Sequence, residues 1–208
     1  MRLAIMQLAL WPPASYFRLF AASDVFVIYD NVQFMPRWYT HRQKLTTEDG
    51  SKQWCTLPLK KMSQQSKINE MEFLDDFEWR WAKQIKKFPI LEGVEIPSNQ
   101  TPLMFIVNCM LNALDMLQIP IKVKLASNID VPDDLRGQSR IMAICKKLGA
   151  TEYVNSPGGR SLYHEAEFEK HGIKLKFLPE WTGGYDSILE RLAHEKAEDI
   201  RNEIYSQI

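Results

Sequence analysis

The residues best suited to chemistry lie close together early in the chain. Asp30-Asn31-Val32-Gln33 sets one carboxylate and two primary amides within a few positions. A carboxylate can accept a proton or bind sugar hydroxyls, and amides donate and accept in the same contact, which suits a polyol. The same residues also fit a turn cap, because Asp and Asn side chains bond readily to nearby backbone. Further on, Arg37-Trp38-Tyr39-Thr40-His41-Arg42-Gln43-Lys44 mixes cations with aromatics. Arg42 and Lys44 suit a phosphate clamp, His41 adds a ligand contact, and Trp38 or Tyr39 can stack on a base or sugar face. A solvated loop with aromatic anchors fits that pattern equally. In Ser156-Pro157-Gly158-Gly159 the small residues let a ligand approach backbone amides ahead of a helix start, or form a plain turn. Gln7 is an amide within an apolar run, where it needs a partner or an exposed face.

Several reaction classes lack their signatures. The chain has no Walker-type phosphate loop, no HExxH, no nucleophile elbow and no paired CxxC. His41, His164, His171 and His194 show no zinc spacing, so no metal is expected, and no motif calls for a cofactor. Cys55, Cys109 and Cys145 read as free, mostly buried thiols.

The elements that must hold these residues follow from periodicity. Leu3–Leu10 is an apolar run closed by Pro12-Pro13, and Val25–Tyr29 is β-branched and aromatic. Both read as strands buried on two faces, joined by a short helix over Ser15–Ala22. Asp30–Thr47 has no period and reads as a long functional loop, followed by a turn at Glu48-Asp49-Gly50 and strands at Gln53–Leu59 and Ile68–Phe73. Helices are expected over Asp76–Phe88 and, behind Thr101-Pro102, over Leu103–Leu117. The remainder alternates: strand 121–126, helix 138–148 ending at Gly149, strand 151–155, helix 162–171, strand 173–178, then one or two C-terminal helices. That order predicts an α/β fold, a layered and mostly parallel sheet with helices on both faces, in a single domain over residues 1–208.

Composition agrees. A chain of 208 residues with 45% hydrophobic and 25% charged residues can bury one sizeable core. Twenty-six acidic residues balance twenty-six basic ones, so no overall field attracts nucleic acid or an anionic membrane. The first apolar run is too short to span a bilayer and no export signal is evident, so a cytoplasmic protein is expected.

The quoted residues also carry a family likeness. Ile5-Met6-Gln7, Trp11-Pro12, Tyr16-Phe17 and the run from Ala22 to Phe34 resemble the opening of WbqC-like proteins from bacterial O-antigen gene clusters. The likeness continues at His41-Arg42, at Trp54-Cys55-Thr56-Leu57-Pro58, from Ile144 to Tyr153 and at Gly172-Ile173-Lys174-Leu175. It implies a role in surface-glycan synthesis with a nucleotide-linked sugar as small-molecule substrate, and functional weight on Gln7, Asp30, Gln33 and Arg42. Asn31 stands where a second acid is common, which argues against a two-acid metal site.

The reading that results is an enzyme transferring an acyl or aminoacyl group to the amine of a nucleotide-activated amino sugar. Asp30 would be the general base, Arg42 would bind diphosphate, and Gln7 and Gln33 would orient the sugar at a common rim. A non-catalytic scaffold for other glycan enzymes is the alternative. A nucleotidyltransferase-like enzyme ranks lower, because Pro12–Tyr16 lacks the histidine pair that chemistry uses.

Overall fold

A computed structural model describes residues 1–208. Its centre is built from the segments with unbroken apolar character. β1 (Arg2–Met6) lies between β2 (Val25–Ile28) and β6 (Glu152–Asn155), with Leu3 opposite both Val25 and Tyr153. The edges are β5 (Lys122–Leu125) and β7 (Lys174–Phe177), giving the all-parallel order β5-β2-β1-β6-β7. Both edge strands alternate apolar residues with exposed lysines, which blunts open edges against further pairing.

Side-chain alternation then divides the core in two. Ala4, Phe26, Ile28 and Val154 point to one face, where they meet α1 (Ala14–Ala21), α3 (Pro102–Met116) and α7 (Ala197–Tyr205). Leu3, Ile5, Val25, Val27, Tyr153 and Leu175 point to the other, beneath α4 (Gly137–Leu148) and α5 (Glu165–Glu169). Helices therefore cover both faces, as the alternation predicts. On the first face Phe20 of α1 stacks on Phe26 of β2 with ring centroids 3.8 Å apart. Local signals work where they are strong. Thr101 Oγ1 accepts the Met104 N–H at the start of α3, and Gly149 ends α4 at φ 70°, a left-handed value that favours glycine. No helix is long and apolar enough to cross a membrane.

The stretch 30–47 departs from the expected loop. It contains β3 (Arg42–Thr46), which pairs antiparallel with β4 (Lys52–Thr56) around the turn at Asp49 and Gly50. Gln43 faces inward, where apolar residues are usual, and so hides the strand's period. Its Nε2 donates to the Trp11 carbonyl and its Oε1 accepts the Lys44 N–H. The hairpin is tied to α6 (Ile188–His194) by buried Glu190, which accepts the Thr46 N–H and pairs with Lys52 at 2.6 Å. Three other boundaries shift. β1 stops at Met6, leaving Gln7 just beyond the strand, and residues 68–70 form a 3-10 turn instead of a strand. The helix expected over 162–171 is a 3-10 segment (Pro157–Leu162) followed by the short α5. α2 (Phe77–Lys87) packs Trp81 against Trp11 and Phe105.

His41, immediately before β3, packs on Phe34 with ring centroids 5.0 Å apart, and its Nδ1 is buried without a partner. Burial, and then the Arg42 charge, pushes it down to about 4.

Two outcomes are expected. Phe20→Ala removes a fully buried, stacked ring and should destabilise the protein by roughly 3–5 kcal/mol, read from the urea unfolding midpoint. For His41, the unfolded chain titrates near pH 6.5 and the folded chain near 4. Between those values the unfolded state binds a proton that the native state refuses. Stability is therefore full above about pH 6.5 and declines as pH falls through the window. The urea midpoint should drop between about pH 6.5 and 5, and drop less in His41→Gln; equal slopes in both proteins would exclude this linkage.

Candidate functional site

Past the end of β2 the alternation continues for one more residue. Tyr29 follows Val25 and Val27 to the α4 face, whereas Asp30 turns away and is fully buried. Asp30 Oδ1 accepts the Ser127 N–H at 2.9 Å, and its carbonyl accepts the Asn69 N–H at 2.9 Å. Its Oδ2 has no partner. One buried residue thus joins the end of β2 to the turn after β5 and to the segment around 68–70.

The strand direction then carries on as a short backbone ladder. The Ile68 N–H donates to the Val32 carbonyl, the Phe34 N–H to that of Ser66, and Gln33 bridges Lys67. The Gln33 side chain also donates to the Gln64 carbonyl. Asn31, Gln33, Gln64, Gln65 and Lys67 form one wall of a cavity as a result. The opposite wall comes from the connection between β5 and α4 (Asp133, Arg136) and from the first turn of α4 (Gly137, Arg140, Ile141). Tyr29, and Tyr163 after the 3-10 segment that follows β6, also line it.

This cavity measures about 500 Å³ and sits at the carboxyl ends of the parallel strands, where ligands of open α/β sheets bind. Only four of its 13 lining residues are hydrophobic. Such a lining favours a hydroxyl-rich or charged ligand over an apolar one. Arg140 is 5% exposed: its Nη1 donates to the Pro132 carbonyl at 3.0 Å, while its Nε has no partner. The Asn31 Oδ1 is likewise buried and unpartnered. Burial raises the Tyr29 hydroxyl, and the Arg140 charge opposes that rise.

Of the residues singled out from the sequence, Asn31 and Gln33 line the cavity, and the others do not. Asp30 is buried outside the lining, held by Ser127. Gln7 follows β1, and its carbonyl accepts the Tyr16 hydroxyl at 2.6 Å. Arg42 and Lys44 alternate onto the outer face of β3, opposite Thr56 and Trp54. The Arg42 guanidinium lies 4.0 Å over the Trp54 ring and donates to the Arg37 carbonyl, and Lys44 Nζ is 5.5 Å from the same ring. His41 packs on Phe34. The N–H groups of Ser156 and Gly159 already donate to Asn155 Oδ1 and the Ser156 carbonyl, and a Cβ at buried Gly159 would run into the Asn155 side chain. Gly158 is exposed. The single rim expected for Gln7, Asp30 and Arg42 is therefore not how the site is assembled.

Sequence reasoning passed over Lys67, Asp133, Arg136, Arg140, Tyr29 and Tyr163, which come from separate segments. One signal was available. Arg140 directly precedes Ile141 and Met142, so a guanidinium sits on the buried side of an apolar helix, and a buried charge there calls for a partner.

A family model described as the WbqC-like protein family matches residues 7–187. Among curated proteins, Rv1507c of Mycobacterium tuberculosis, itself uncharacterised, is 27% identical over 191 residues, covering 85% of this chain and 81% of that protein. No solved structure matches. The matched span runs from the end of β1 to the first residue before α6 and contains every residue lining the cavity. This chain belongs to the WbqC-like protein family.

Proposed function

We propose that the protein acts on a nucleotide-activated amino sugar in surface-glycan synthesis, transferring an acyl or aminoacyl group to the sugar amine. The observation that carries this reading is the polar cavity of about 500 Å³ at the carboxyl rim of the sheet. Its volume suits a ligand larger than a free sugar. Its amides, Asn31 and Gln33, match hydroxyl recognition. Family membership supports the setting through the resemblance drawn above.

In this reading the base differs from the one the sequence suggests. Asp30 is fully buried and does not line the cavity, so its carboxyl group has no contact with a substrate amine held there. Asp133 is the carboxylate that lines the cavity, and its side chain is 90% exposed. It takes the proton as the substrate ammonium becomes a free amine. The amine nitrogen then bonds to the acyl carbon, the bond from that carbon to its carrier breaks, and the proton that nitrogen sheds in forming the amide leaves with the carrier. Asp30 acts from outside the lining as a positioning residue for both cavity walls.

Incubation with nucleotide-linked amino sugars and activated acyl donors should give a mass increase on the sugar nucleotide equal to the acyl group. Asp133→Asn should lower kcat by roughly 10²–10⁴ with little change in KM. Asp30→Asn keeps an oxygen for the Ser127 N–H and should change kcat far less. Loss of turnover in Asp30→Asn alone, with Asp133→Asn active, would return the base role to Asp30. No mass change across a broad donor and acceptor panel would remove the transfer reading.

A further inference from the structure

We infer that Lys67, Arg136 and Arg140, gathered at the uncapped amino end of α4, form a phosphate-binding locus, so that the cavity's ligand carries a diphosphate or phosphate ester. The inference deepens the reading of this cavity as a substrate site and rests on it for the ligand's place.

Three observations converge. The first is Arg140. A guanidinium only 5% exposed, with an unpartnered Nε, sits in the cavity wall, and its nearest carboxylate oxygen, Asp133 Oδ1, is 3.8 Å away on a side chain 90% exposed to solvent. That ion pair is long and its carboxylate is screened by solvent, so the buried cation is only weakly neutralised. The second is the helix start. No side chain caps α4, and no acidic residue occupies its first turn. Its first N–H groups and the positive end of its dipole face outward beside Gly137, whose left-handed backbone (φ 50°) leaves open space where a Cβ would stand. The third is the pair of exposed cations Lys67 and Arg136, one from each wall, neither of which forms a salt bridge. Arg136 donates instead to the backbone carbonyls of Asp133 and Leu135.

The ligand class follows from charge and geometry. Three cations and a helix amino end face one exposed acid. A carboxylate brings one charge and two oxygens, which leaves most of these donors unmatched. A diphosphate brings two or more charges and several acceptor oxygens, so Arg140 can bind it through charge-assisted bonds while Lys67 and Arg136 close from either side. The Arg42–Lys44 pair on the hairpin is already layered on Trp54 and does not line this cavity.

Calorimetric titration of the full chain with inorganic pyrophosphate tests the locus directly. Pyrophosphate should bind and should be displaced by a nucleoside diphosphate sugar. The double variant Arg136→Gln/Lys67→Gln, altered only at exposed positions, should weaken pyrophosphate binding by roughly ten- to a hundredfold. Lys122→Gln, a charge change on the edge strand, should leave it unaltered. Arg140→Gln should weaken it further, provided its urea midpoint shows a folded protein. Absence of pyrophosphate binding, or equal affinity in the double variant, overturns the inference. If nucleotide sugars are modified while pyrophosphate fails to bind, the locus is wrong and the transfer reading stands. If pyrophosphate binds with the stated variant dependence but no amino sugar is modified, the locus stands and the transfer reading falls.

Discussion

A carboxyl group sealed from water can take hydrogen bonds only from the chain around it, and Asp30, with one oxygen so bonded, ties together the rim of this sheet. Its Oδ1 takes the Ser127 N–H and its carbonyl takes the Asn69 N–H. Those donors belong to the segments that go on to supply Asp133, Arg136 and Arg140 on one side and approach from Gln64, Gln65 and Lys67 on the other. Neither segment belongs to the sheet, and this tie adds to the backbone ladder that Val32, Gln33 and Phe34 make with residues 66–68. Both bonds are shielded from water, which strengthens them relative to exposed ones. The consequence reaches the cavity indirectly: the walls are held by a residue that does not touch the space between them.

Period-two alternation places Tyr29, and a turn after it places Asp30. Along β2, Val25 and Val27 face α4 and Phe26 and Ile28 face α1. Tyr29 extends the first set to the cavity, and Asp30, after a tight turn in which its N–H donates to the Ile28 carbonyl, is buried against Ser127. A register slip of one residue would turn the apolar set of β2 to the opposite faces. The tight register of β2 with β1 and β5 over all its residues prevents that.

Much of the scaffold was legible because its signals are local. Unbroken apolar runs marked the central strands, lysine alternation marked β5 and β7, and Thr101-Pro102 and Gly149 marked helix ends. β3 escaped because Gln43 is buried at a position where the pattern requires an apolar residue, and its amide N–H is satisfied by Trp11 in a distant loop. Two of the 13 residues that line the cavity were legible for the same reason. Asn31 and Gln33 are contiguous with a strong strand signal. Lys67, Arg136 and Arg140 meet only after β2, the 64–69 segment and α4 are brought together. Arg42 was conspicuous in sequence because it neighbours aromatics, and that proximity is what occupies it. Stacked on Trp54, its guanidinium face is covered and its Nη2 is committed to Arg37.

The position of the cavity follows from an imbalance between the two layers. The long connection from β2 to β5 sends its hairpin, α2 and α3 to the α1 face, where a buried cluster of 36 residues forms, against 15 on the α4 face. Trp11 shows how closed that thicker side is. It accepts a left-handed φ of 42°, a strained value for a bulky residue, while its carbonyl receives both Gln43 Nε2 and Ser187 Oγ. The loop after β1 is thereby committed to packing. On the thinner side only α4, α5 and their connections cover the strands, and α4 begins at the rim, so the corner between β2, the 131–136 loop and Tyr163 stays open. A helix that starts there without a cap brings its positive end to the opening. The fold itself thus supplies both the space and the sign of its electrostatic potential, before any particular side chain is considered.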